Sequence, residues 1–586
     1  MVASLLVQPL TFGESISAFA QGSLSPRRRH THTHTHTQHR HKMYVFGARK
    51  RRPAQGCSSI LLITAILGIV FFVSSVCVLV NQEVLSSVWN KLGISAISTV
   101  NAQTYCSDQT TKDSPPAACD DLTCLSRSQQ YLYRNPAHIK PIPDPLLKAW
   151  AAYAQMHRYC SHHNWSALFL SRDRSPTDHN DGCQYLIYIE GSEGLGNVLL
   201  SLTSAFTFAM ATGRMLLLDS RANIAKLLCE PFPESSWVLP PNFPYRELLD
   251  CPSLGPFRHN NTNASCVSLN LQHNIHHKDQ QLFCEDVYTS LQDVKWVAWT
   301  SNQYFLTNLL LIPSFWQRMH PVFRGNVGQI FTFLARLLLL PANDTWAIIL
   351  REFWSYLSGA NAQLGVQVRL YGRVEFDLEA NDRIMECLLQ NNLLPRFSEK
   401  ENLTELSILH NRKMEARENH ADIVVMLASL QGKYAQIMKD QFAKLPTKGT
   451  KMVRVHSVSQ LGSQKKGFEQ AQLAFVEMWL LSYSDNLATS KKSTFGYIAQ
   501  GLGAIHPYIL DLNKGEHASP CVLGQSVEPC THYPKIPRCL GADANLSIDH
   551  KQWIRTHFSL CQDHVGGWQL VPSGAAQGNP VSFDFL

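Results

Sequence analysis

The stretch that decides the fold is QYLIYIEGSEGLGNVLLSLTSAFTFAMATGRMLLLD, residues 184–219. It opens with a run of apolar residues that is typical of a buried strand. After a glycine-rich turn, apolar residues recur at helical spacing up to Gly213, a residue type that often ends helices. RMLLLD (214–219) predicts a second strand. A strand, a helix and a strand in this order imply a parallel sheet.

The same pattern recurs further along the chain. The predicted elements are the strands GVQVRLY (365–371), DIVVMLAS (422–429), KMVRVHSV (451–458) and NLATS (486–490), and the helices FEQAQLAFVEMWLLSYS (468–484) and TFGYIAQGLG (494–503). A helical stretch around residues 327–362 separates this part from the first. We therefore expect an α/β fold of two doubly wound domains that face a cleft. Ligands of open α/β sheets bind at the carboxyl ends of the strands.

Length and charge exclude several classes of protein. The chain has 586 residues, which is more than one domain usually holds. Its formal net charge is +7, but residues 1–56 carry nine Lys or Arg and one acidic residue, whereas the rest carries 43 basic and 44 acidic residues. Because the basic excess lies on a tail and not on the folded part, a nucleic-acid partner is excluded.

One uncharged apolar segment near the N-terminus predicts a membrane anchor. Residues 58–80 form 23 residues without a charge, which is long enough to cross a hydrocarbon core of about 30 Å. Four basic residues at 49–52 precede it, so the positive-inside rule places the N-terminus in the cytosol. We expect a disordered basic tail over 1–57, a signal anchor over 58–80 and a stem over 81–105. Residues beyond the anchor would lie across the membrane.

Cysteine and sequon usage agrees with this topology. Fourteen of the sixteen cysteines lie beyond the anchor, an even number that is consistent with disulfides in an oxidising lumen. The six N-glycosylation sequons lie there as well, at Asn164, Asn260, Asn263, Asn343, Asn402 and Asn545. A short tail, one span and a large luminal part are the usual layout of a Golgi glycosyltransferase. A plasma-membrane protein of the same topology is the alternative.

Two positions in the predicted sheets can contact a ligand. The loop GSEGLGN (191–197) offers Gly194, Gly196 and Asn197 at the start of a helix, where backbone N–H groups favour an anion. Arg369 follows a predicted strand, and the fork of its guanidinium suits a phosphate. Arg373 is a second candidate nearby. The alternatives are a purely structural turn and a surface ion pair.

A third candidate lies at the start of the last predicted helix. In SKKSTFGY (490–497), Ser493 and Thr494 supply hydroxyl groups, and the N–H groups from Thr494 through Phe495 to Gly496 would face an anion. A plain capping box is the alternative. The combination of this turn, Arg369 and the glycine loop favours a phosphate-bearing ligand.

Several segments together resemble one known family. They are CLSRSQQYLYR (124–134), LCEPFPESSWVLPPNFP (228–244), LIPSF (311–315), GVQVR (365–369), SDNLATSKKSTFGYIAQGLG (484–503) and CVLGQSVEPCTHYPKIPRC (521–539). They are similar, in the same order, to the plant cell-wall fucosyltransferases, the xyloglucan and arabinogalactan α-1,2-fucosyltransferases. The resemblance implies a GT-B fold with an N-terminal domain over 106–345 on the acceptor side. It implies a C-terminal domain over 346–586 that binds GDP-fucose.

The resemblance also implies roles for the candidate residues. Arg369 would pair with the GDP diphosphate, and residues 493–496 would cradle the same phosphates. Gly194, Gly196 and Asn197 would line the cleft near the fucose. No Asp-x-Asp pair occurs in the sequence, so we expect no metal and no cofactor besides the donor substrate.

A general base is the least determined part of the predicted site. Direct displacement needs a group to accept the acceptor's proton, and Glu193 and Asp563 are the two candidates. Each has a structural or solvated carboxylate as its alternative. We expect the cysteines at 521, 530, 539 and 561 to be structural and to position Asp563, because their spacing lacks the short pairs of zinc sites.

The chain also departs from the family pattern. Val198 stands where the family has an arginine, and Lys491 and Lys492 stand where it has small or aromatic residues. The two lysines are candidates for compensating charge near the phosphates.

The function that the resemblance implies is inverting transfer of fucose from GDP-fucose to the 2-hydroxyl of a terminal galactose. The acceptor would be xyloglucan or an arabinogalactan glycan, and the enzyme would be a single-pass type II protein of the Golgi membrane. The alternatives are a catalytically lapsed member that binds GDP or a glycan, and a fucosyltransferase with a protein acceptor. A homodimer is one option for its assembly.

Overall fold

The computed structural model describes residues 123–161, 164–172, 182–191, 193–253, 265–272, 282–283, 291–371, 375–398, 421–459, 467–512, 519–533 and 546–574. Several predicted features lie outside these ranges. They are the tail (1–57), the membrane anchor (58–80), the stem (81–105), Arg373, Cys539 and the sequons at Asn260, Asn263, Asn402 and Asn545.

The first sheet is parallel throughout and has four strands in the order β2-β1-β4-β3. These are β1 (Gln184–Glu190), β2 (Arg214–Leu218), β3 (Cys266–Leu271) and β4 (Trp296–Ser301). The strands β1 and β2 confirm the unit predicted over residues 184–219. The strands β3 and β4 were not predicted.

The second sheet has six strands in the order β10-β9-β8-β5-β6-β7, and β10 is its antiparallel member. Its strands are β5 (Ala360–Val368), β6 (Ala421–Ser429), β7 (Val453–His456), β8 (Asn486–Ser490), β9 (Tyr508–Leu510) and β10 (Cys521–Leu523). A separate hairpin pairs β11 (Phe558–Leu560) with β12 (Trp568–Leu570). The four strands predicted in this half are present, so the predicted α/β class is confirmed.

Helices connect and cover these strands. In chain order the α-helices of the described ranges are α1 (Leu125–Gln129), α2 (Asp144–Tyr159), α3 (Trp165–Leu170), α4 (Leu195–Thr212), α5 (Ile224–Leu227), α6 (Tyr245–Leu249), α7 (Leu306–Leu310), α8 (Pro313–Phe323), α9 (Ile330–Leu338), α10 (Asn343–Glu352), α11 (Leu378–Gln390), α12 (Gly432–Lys444), α13 (Phe468–Leu481), α14 (Thr494–Gly503) and α15 (Ile548–His557). Short 3-10 turns cover Gln130–Tyr133, Pro136–His138, Val327–Gln329 and Lys448–Thr450, and Phe353–Leu357 is a π-helix.

Two apolar helices belong to the core. Within the part of the chain that the structure describes, α4 is the one helix long and apolar enough to cross a membrane. Fourteen of its eighteen residues are buried between the strands and the neighbouring helices, which is the burial of a core helix. All nine residues of α9 are buried, which confirms the core helix predicted near residue 335.

Five disulfides link the described residues, which confirms that disulfides are present. The pairs are Cys124–Cys229, Cys160–Cys183, Cys251–Cys266, Cys387–Cys521 and Cys530–Cys561.

The C-terminal residues pack on helices of the first half of the chain. His550 Nε2 lies 2.9 Å from the carbonyl oxygen of Leu310, and the N–H of Phe331 donates to Glu528 Oε1 at 2.9 Å. The domain boundary expected between residues 345 and 346 therefore has contacts across it from both sides, and its position stays a prediction.

Candidate functional site

Arg369 lies directly after β5, at the carboxyl end of the strand. Its N–H donates to Ser490 Oγ at 2.8 Å, and that hydroxyl donates to the carbonyl of Gln367 at 3.2 Å. Ser490 is the last residue of β8, so the ends of two neighbouring strands are tied together. The guanidinium carbon of Arg369 lies 5.8 Å from the ring centre of Tyr371. No carboxylate among the described residues forms an ion pair with Arg369.

The turn after β8 leads into the N-terminus of α14. Ser493 is buried and caps this helix, because its Oγ accepts the N–H of Gly496 at 3.4 Å. The N–H groups of Thr494 and Phe495 have no acceptor among the described residues. The cap at Ser493 is therefore present, whereas anion binding by the N–H groups of Thr494 and Phe495 stays a prediction.

Gly496 is required by close packing against the strand. A Cβ at this position would lie 2.9 Å from Thr489 Cβ on β8 and 3.4 Å from Gln367 Oε1 on β5. Gln367 is 4% exposed, and its Oε1 has no hydrogen-bond partner in the part of the chain that the structure describes. The first turn of α14 therefore sits directly against the carboxyl ends of β5 and β8.

The glycine loop of the first sheet reaches the same place. Gly194 is the N-cap of α4, and none of the described side chains caps that helix. A Cβ on Gly196 would lie 2.9 Å from the nitrogen of Phe495 and 2.9 Å from both the carbonyl carbon and Oγ1 of Thr494. Asn197 is half-buried in the same turn, and its N–H donates to the carbonyl of Gly194 at 3.0 Å. The N-termini of α4 and α14, one from each half of the chain, thus meet.

This meeting of helix ends has an electrostatic consequence. Each helix N-terminus carries a partial positive charge of about half a unit. Two such ends in contact repel each other, and an anion placed against them stabilises both. Arg369 adds a full positive charge at the adjoining strand end.

Val198 does not take part in this arrangement. Its side chain is completely buried in the core, and its carbonyl accepts the Tyr188 hydroxyl at 3.1 Å. The compensating charge expected of Lys491 and Lys492 stays a prediction. Lys491 Nζ forms an ion pair with Asp511 at 2.5 Å, and the side chain of Lys492 is exposed.

The two candidate bases have different surroundings. Glu193 is exposed and makes no hydrogen bond or ion pair with the described residues. Asp563 is 8% exposed, and its Oδ2 accepts the N–H of Lys492 at 3.0 Å and the hydroxyl of Tyr497. Of the two, only Asp563 contacts the turn that precedes α14.

Three residues near this site, Tyr371, Tyr497 and His532, were not predicted from the sequence. Tyr371 donates its hydroxyl to the carbonyl of Lys492, and Tyr497 Oη lies 3.0 Å from His532 Nε2. Burial, reinforced by the carboxylate of Asp563, raises the pKa of Tyr497 well above its usual value, so this hydroxyl stays protonated and can donate. The signal that could have found Tyr371 and Tyr497 is their place next to the motifs, in VRLY and STFGY. His532 has no such signal.

One group of side chains in the described ranges has the proximity of metal ligands. Cys530, Cys561 and Asp563 have ligand atoms within 4.8 Å of one another. The two cysteines are joined in a disulfide, so neither is a thiolate that can bind an ion. This disulfide supports the expectation that cysteines hold the segment around Asp563.

Comparison with known proteins identifies the family. The family model described as xyloglucan fucosyltransferase matches residues 115–540. The chain belongs to the xyloglucan fucosyltransferase family. It is therefore an enzyme of the fucosyltransferase class, and the predicted resemblance is confirmed.

Curated relatives and a solved structure agree with this assignment. The chain is 32% identical over 480 residues to probable fucosyltransferase 8 of Arabidopsis thaliana, with 78% of this chain and 89% of the relative covered. It is 31% identical over 477 residues to a galactoside 2-alpha-L-fucosyltransferase of Pisum sativum, with 77% and 80% covered. A mutant of Arabidopsis thaliana FUT1, solved in complex with GDP, is similar with a TM-score of 0.65 and 30% identity, covering 78% of this chain and 98% of that one.

Proposed function

We propose that this enzyme transfers fucose from GDP-fucose to the 2-hydroxyl of a terminal galactose, with inversion at the anomeric carbon and without a metal ion. The two sheets would form the two halves of a GT-B arrangement. The names of the relatives support the donor and the linkage: one is a galactoside 2-alpha-L-fucosyltransferase, and the similar FUT1 structure contains GDP.

The observation that carries the proposal is the contact of Gly196 with Thr494 and Phe495. It joins two helix N-termini at the carboxyl ends of the strands, where ligands of open α/β sheets bind. Arg369 follows the neighbouring strand, and its N–H bonds Ser490 at the end of β8. A nucleoside diphosphate is the anion that this combination fits. A guanidinium fork and backbone N–H groups are both strong donors to phosphate oxygens.

The chemistry follows from this arrangement. The bond between the fucose anomeric carbon and the diphosphate oxygen breaks, and the acceptor hydroxyl oxygen bonds to the opposite face of that carbon. Negative charge grows on the departing GDP, and Arg369 with the N–H groups of Thr494 and Phe495 stabilises it in the transition state. The proton of the acceptor hydroxyl passes to a base, for which Glu193 is the exposed candidate.

We propose metal independence because a protein side chain can supply the positive charge that the diphosphate needs. Arg369 supplies a fixed positive charge where many transferases use an ion held by an Asp-x-Asp pair, and the sequence contains no such pair. The acceptor is proposed as xyloglucan or an arabinogalactan glycan, and the location as the Golgi membrane with a luminal catalytic part. These follow from the family and from the anchor predicted over residues 58–80.

A catalytically lapsed member is the second candidate function. The buried Val198 favours it, since this position supplies no cation to the site. Such a protein would still bind GDP through Arg369 and the helix ends.

The deciding experiment is an assay of the full chain in detergent with labelled GDP-fucose. Acceptors are a panel of galactosides, xyloglucan oligosaccharides and a protein extract, each with EDTA or with Mn²⁺. EDTA-resistant transfer to the galactose 2-hydroxyl is the expected result. Transfer that requires Mn²⁺ would refute metal independence. GDP binding without transfer of fucose to any acceptor would establish a catalytically lapsed member. Transfer of labelled fucose to proteins and to none of the sugars would establish a protein acceptor.

A further inference from the structure

The turn that leads into α14 contains a residue in an unfavourable conformation. Lys492 has a φ of +60°, in the left-handed region. For a residue with a side chain this conformation is disfavoured by roughly a factor of ten. Such conformations persist only where surrounding contacts enforce them, and they cluster at functional sites.

Two side chains enforce this conformation by holding both polar backbone groups of Lys492. The hydroxyl of Tyr371, just after β5, donates to its carbonyl oxygen. The Oδ2 of Asp563, from the C-terminal segment, accepts its N–H at 3.0 Å. These two hydrogen bonds to Lys492, from Tyr371 and Asp563, are called the clamp. They hold the turn from two parts of the chain that are distant in sequence.

Asp563 is itself held in place. The hydroxyl of Tyr497, one turn into α14, donates to the same Oδ2 and also lies 3.0 Å from His532 Nε2. His532 and Asp563 each follow a half of the Cys530–Cys561 disulfide by two residues. The disulfide thus fixes both partners of Tyr497, and through them the start of α14.

We propose that Asp563 is a positioning residue, which together with Tyr371 holds Lys492 in the left-handed conformation and so aims the N–H groups of Thr494 and Phe495 at the donor diphosphate. This inference rests on the proposed function for the identity of the ligand. It assigns to Asp563 a role other than the general base considered from the sequence.

The links form one continuous chain of contacts. The guanidinium of Arg369 lies near the ring of Tyr371, Tyr371 bonds the carbonyl of Lys492, and the N–H of Lys492 bonds Asp563. The strand end that carries the cation and the helix end that carries the N–H groups are therefore set relative to each other by Asp563 and Tyr371.

The first test is GDP binding by calorimetry on the full chain in detergent, with the variants Asp563→Ala and Asp563→Ala/Lys492→Gly. Asp563→Ala should weaken GDP binding about ten-fold, because the turn loses one of the two hydrogen bonds of the clamp. The added glycine adopts a positive φ without a steric penalty. The double variant should therefore bind GDP more tightly than Asp563→Ala alone.

Kinetics separate positioning from base catalysis. A positioning role predicts that Asp563→Ala raises the KM for GDP-fucose together with the Kd for GDP. A lower kcat with an unchanged GDP Kd would overturn the inference in favour of a base. A double variant that binds GDP no more tightly than Asp563→Ala would overturn the inference as well. Tyr371→Phe, at a residue that is 56% exposed, should fold normally and weaken GDP binding in the same direction.

Amide hydrogen exchange tests the clamp without any ligand. Asp563→Ala should speed exchange over residues 492–497, whereas Asp549→Ala, an exposed carboxylate in the first turn of α15, should not. If the wild type binds no GDP but Asp563→Ala speeds exchange, the proposed function fails and the clamp stands. If the wild type binds GDP and Asp563→Ala leaves both exchange and binding unchanged, the clamp is refuted.

Discussion

A methyl group added at Gly196 would push apart the two helix ends on which the proposed donor site depends. The Cβ of Gly196→Ala would lie 2.9 Å from the nitrogen of Phe495 and from the carbonyl carbon of Thr494. These are backbone atoms, which cannot rotate out of the way as a side chain can. Ordinary contact begins at 3.4 Å, so the N-termini of α4 and α14 must separate by about 0.5 Å.

We expect this separation to lower both the folding stability of the protein and its affinity for GDP. Overpacking of a tight contact usually costs about 1–3 kcal/mol of folding stability. A hydrogen bond from an N–H group to a charged phosphate contributes about 1.5–3 kcal/mol. If the shift misaligns one such bond, the Kd for GDP rises roughly 10- to 100-fold.

The assay is calorimetric titration of GDP into the full-length variant, with thermal unfolding followed in parallel. Gly501→Ala is the matched control, because it lies on the same helix and its Cβ would lie 2.3 Å from Cδ1 of Phe331 in the core. It should lower stability and leave GDP binding intact. Unchanged GDP affinity in Gly196→Ala, or equal losses of affinity in both variants, would refute the convergence of helix ends as the anion site.

Three further outcomes are expected. Arg369→Lys keeps the charge but loses the planar fork, so the Kd for GDP should rise about ten-fold; unchanged affinity would show that Arg369 does not contact the diphosphate. Burial raises the pKa of Glu528 to about 8 from the usual 4.5. The folded protein therefore holds a proton that the unfolded chain releases between those values, and stability falls as pH rises through this window. Glu528→Gln should flatten the fall in melting temperature between pH 5 and 8, and a slope equal to that of the wild type would contradict this assignment. With the predicted luminal topology, Asn164 should carry a glycan and Asn343 should not. Asn164 is exposed, and its Oδ1 accepts the N–H of Ala167 in the first turn of its own helix. Asn343 instead accepts the N–H of Leu125 from a distant segment, and its sequon partner Thr345 is 1% exposed; glycopeptide mass spectrometry decides this.

Local patterns in the sequence were sufficient to predict the elements that carry the site. The helix α14 and the strand β8 have the bounds expected from TFGYIAQGLG and NLATS, since a capping serine and an apolar run are short-range signals. The strand β4 was not predicted, although it is buried and pairs with both β1 and β3. Its pairing partners lie far along the chain, and its sequence, which contains two tryptophans, shows no clear alternation of apolar and polar residues.

The contacts within the site could not be predicted in the same way. Asp563 was recognised as a carboxylate of interest, but its partners Tyr497 and Lys492 are 66 and 71 residues away. Hydrogen bonds over such separations depend on how the C-terminal segment returns to α14. The predicted structural role of the cysteines did indicate that Asp563 is held in place, because Cys561 lies two residues before it. The left-handed conformation of Lys492 had no signal, since it is enforced by those distant side chains and not by a glycine.

The loss of a side-chain cation at Val198 affects the proposed donor site less than the sequence suggests. A helix N-terminus attracts an anion through its backbone N–H groups, and these are present whatever side chain follows. Val198 lies inside the core, so the positive potential at the meeting point of α4 and α14 comes from the two helix ends and Arg369. The substitution at 198 removes one contribution to that potential and leaves the geometry that produces the others. We therefore expect GDP binding to persist whether or not the enzyme turns over.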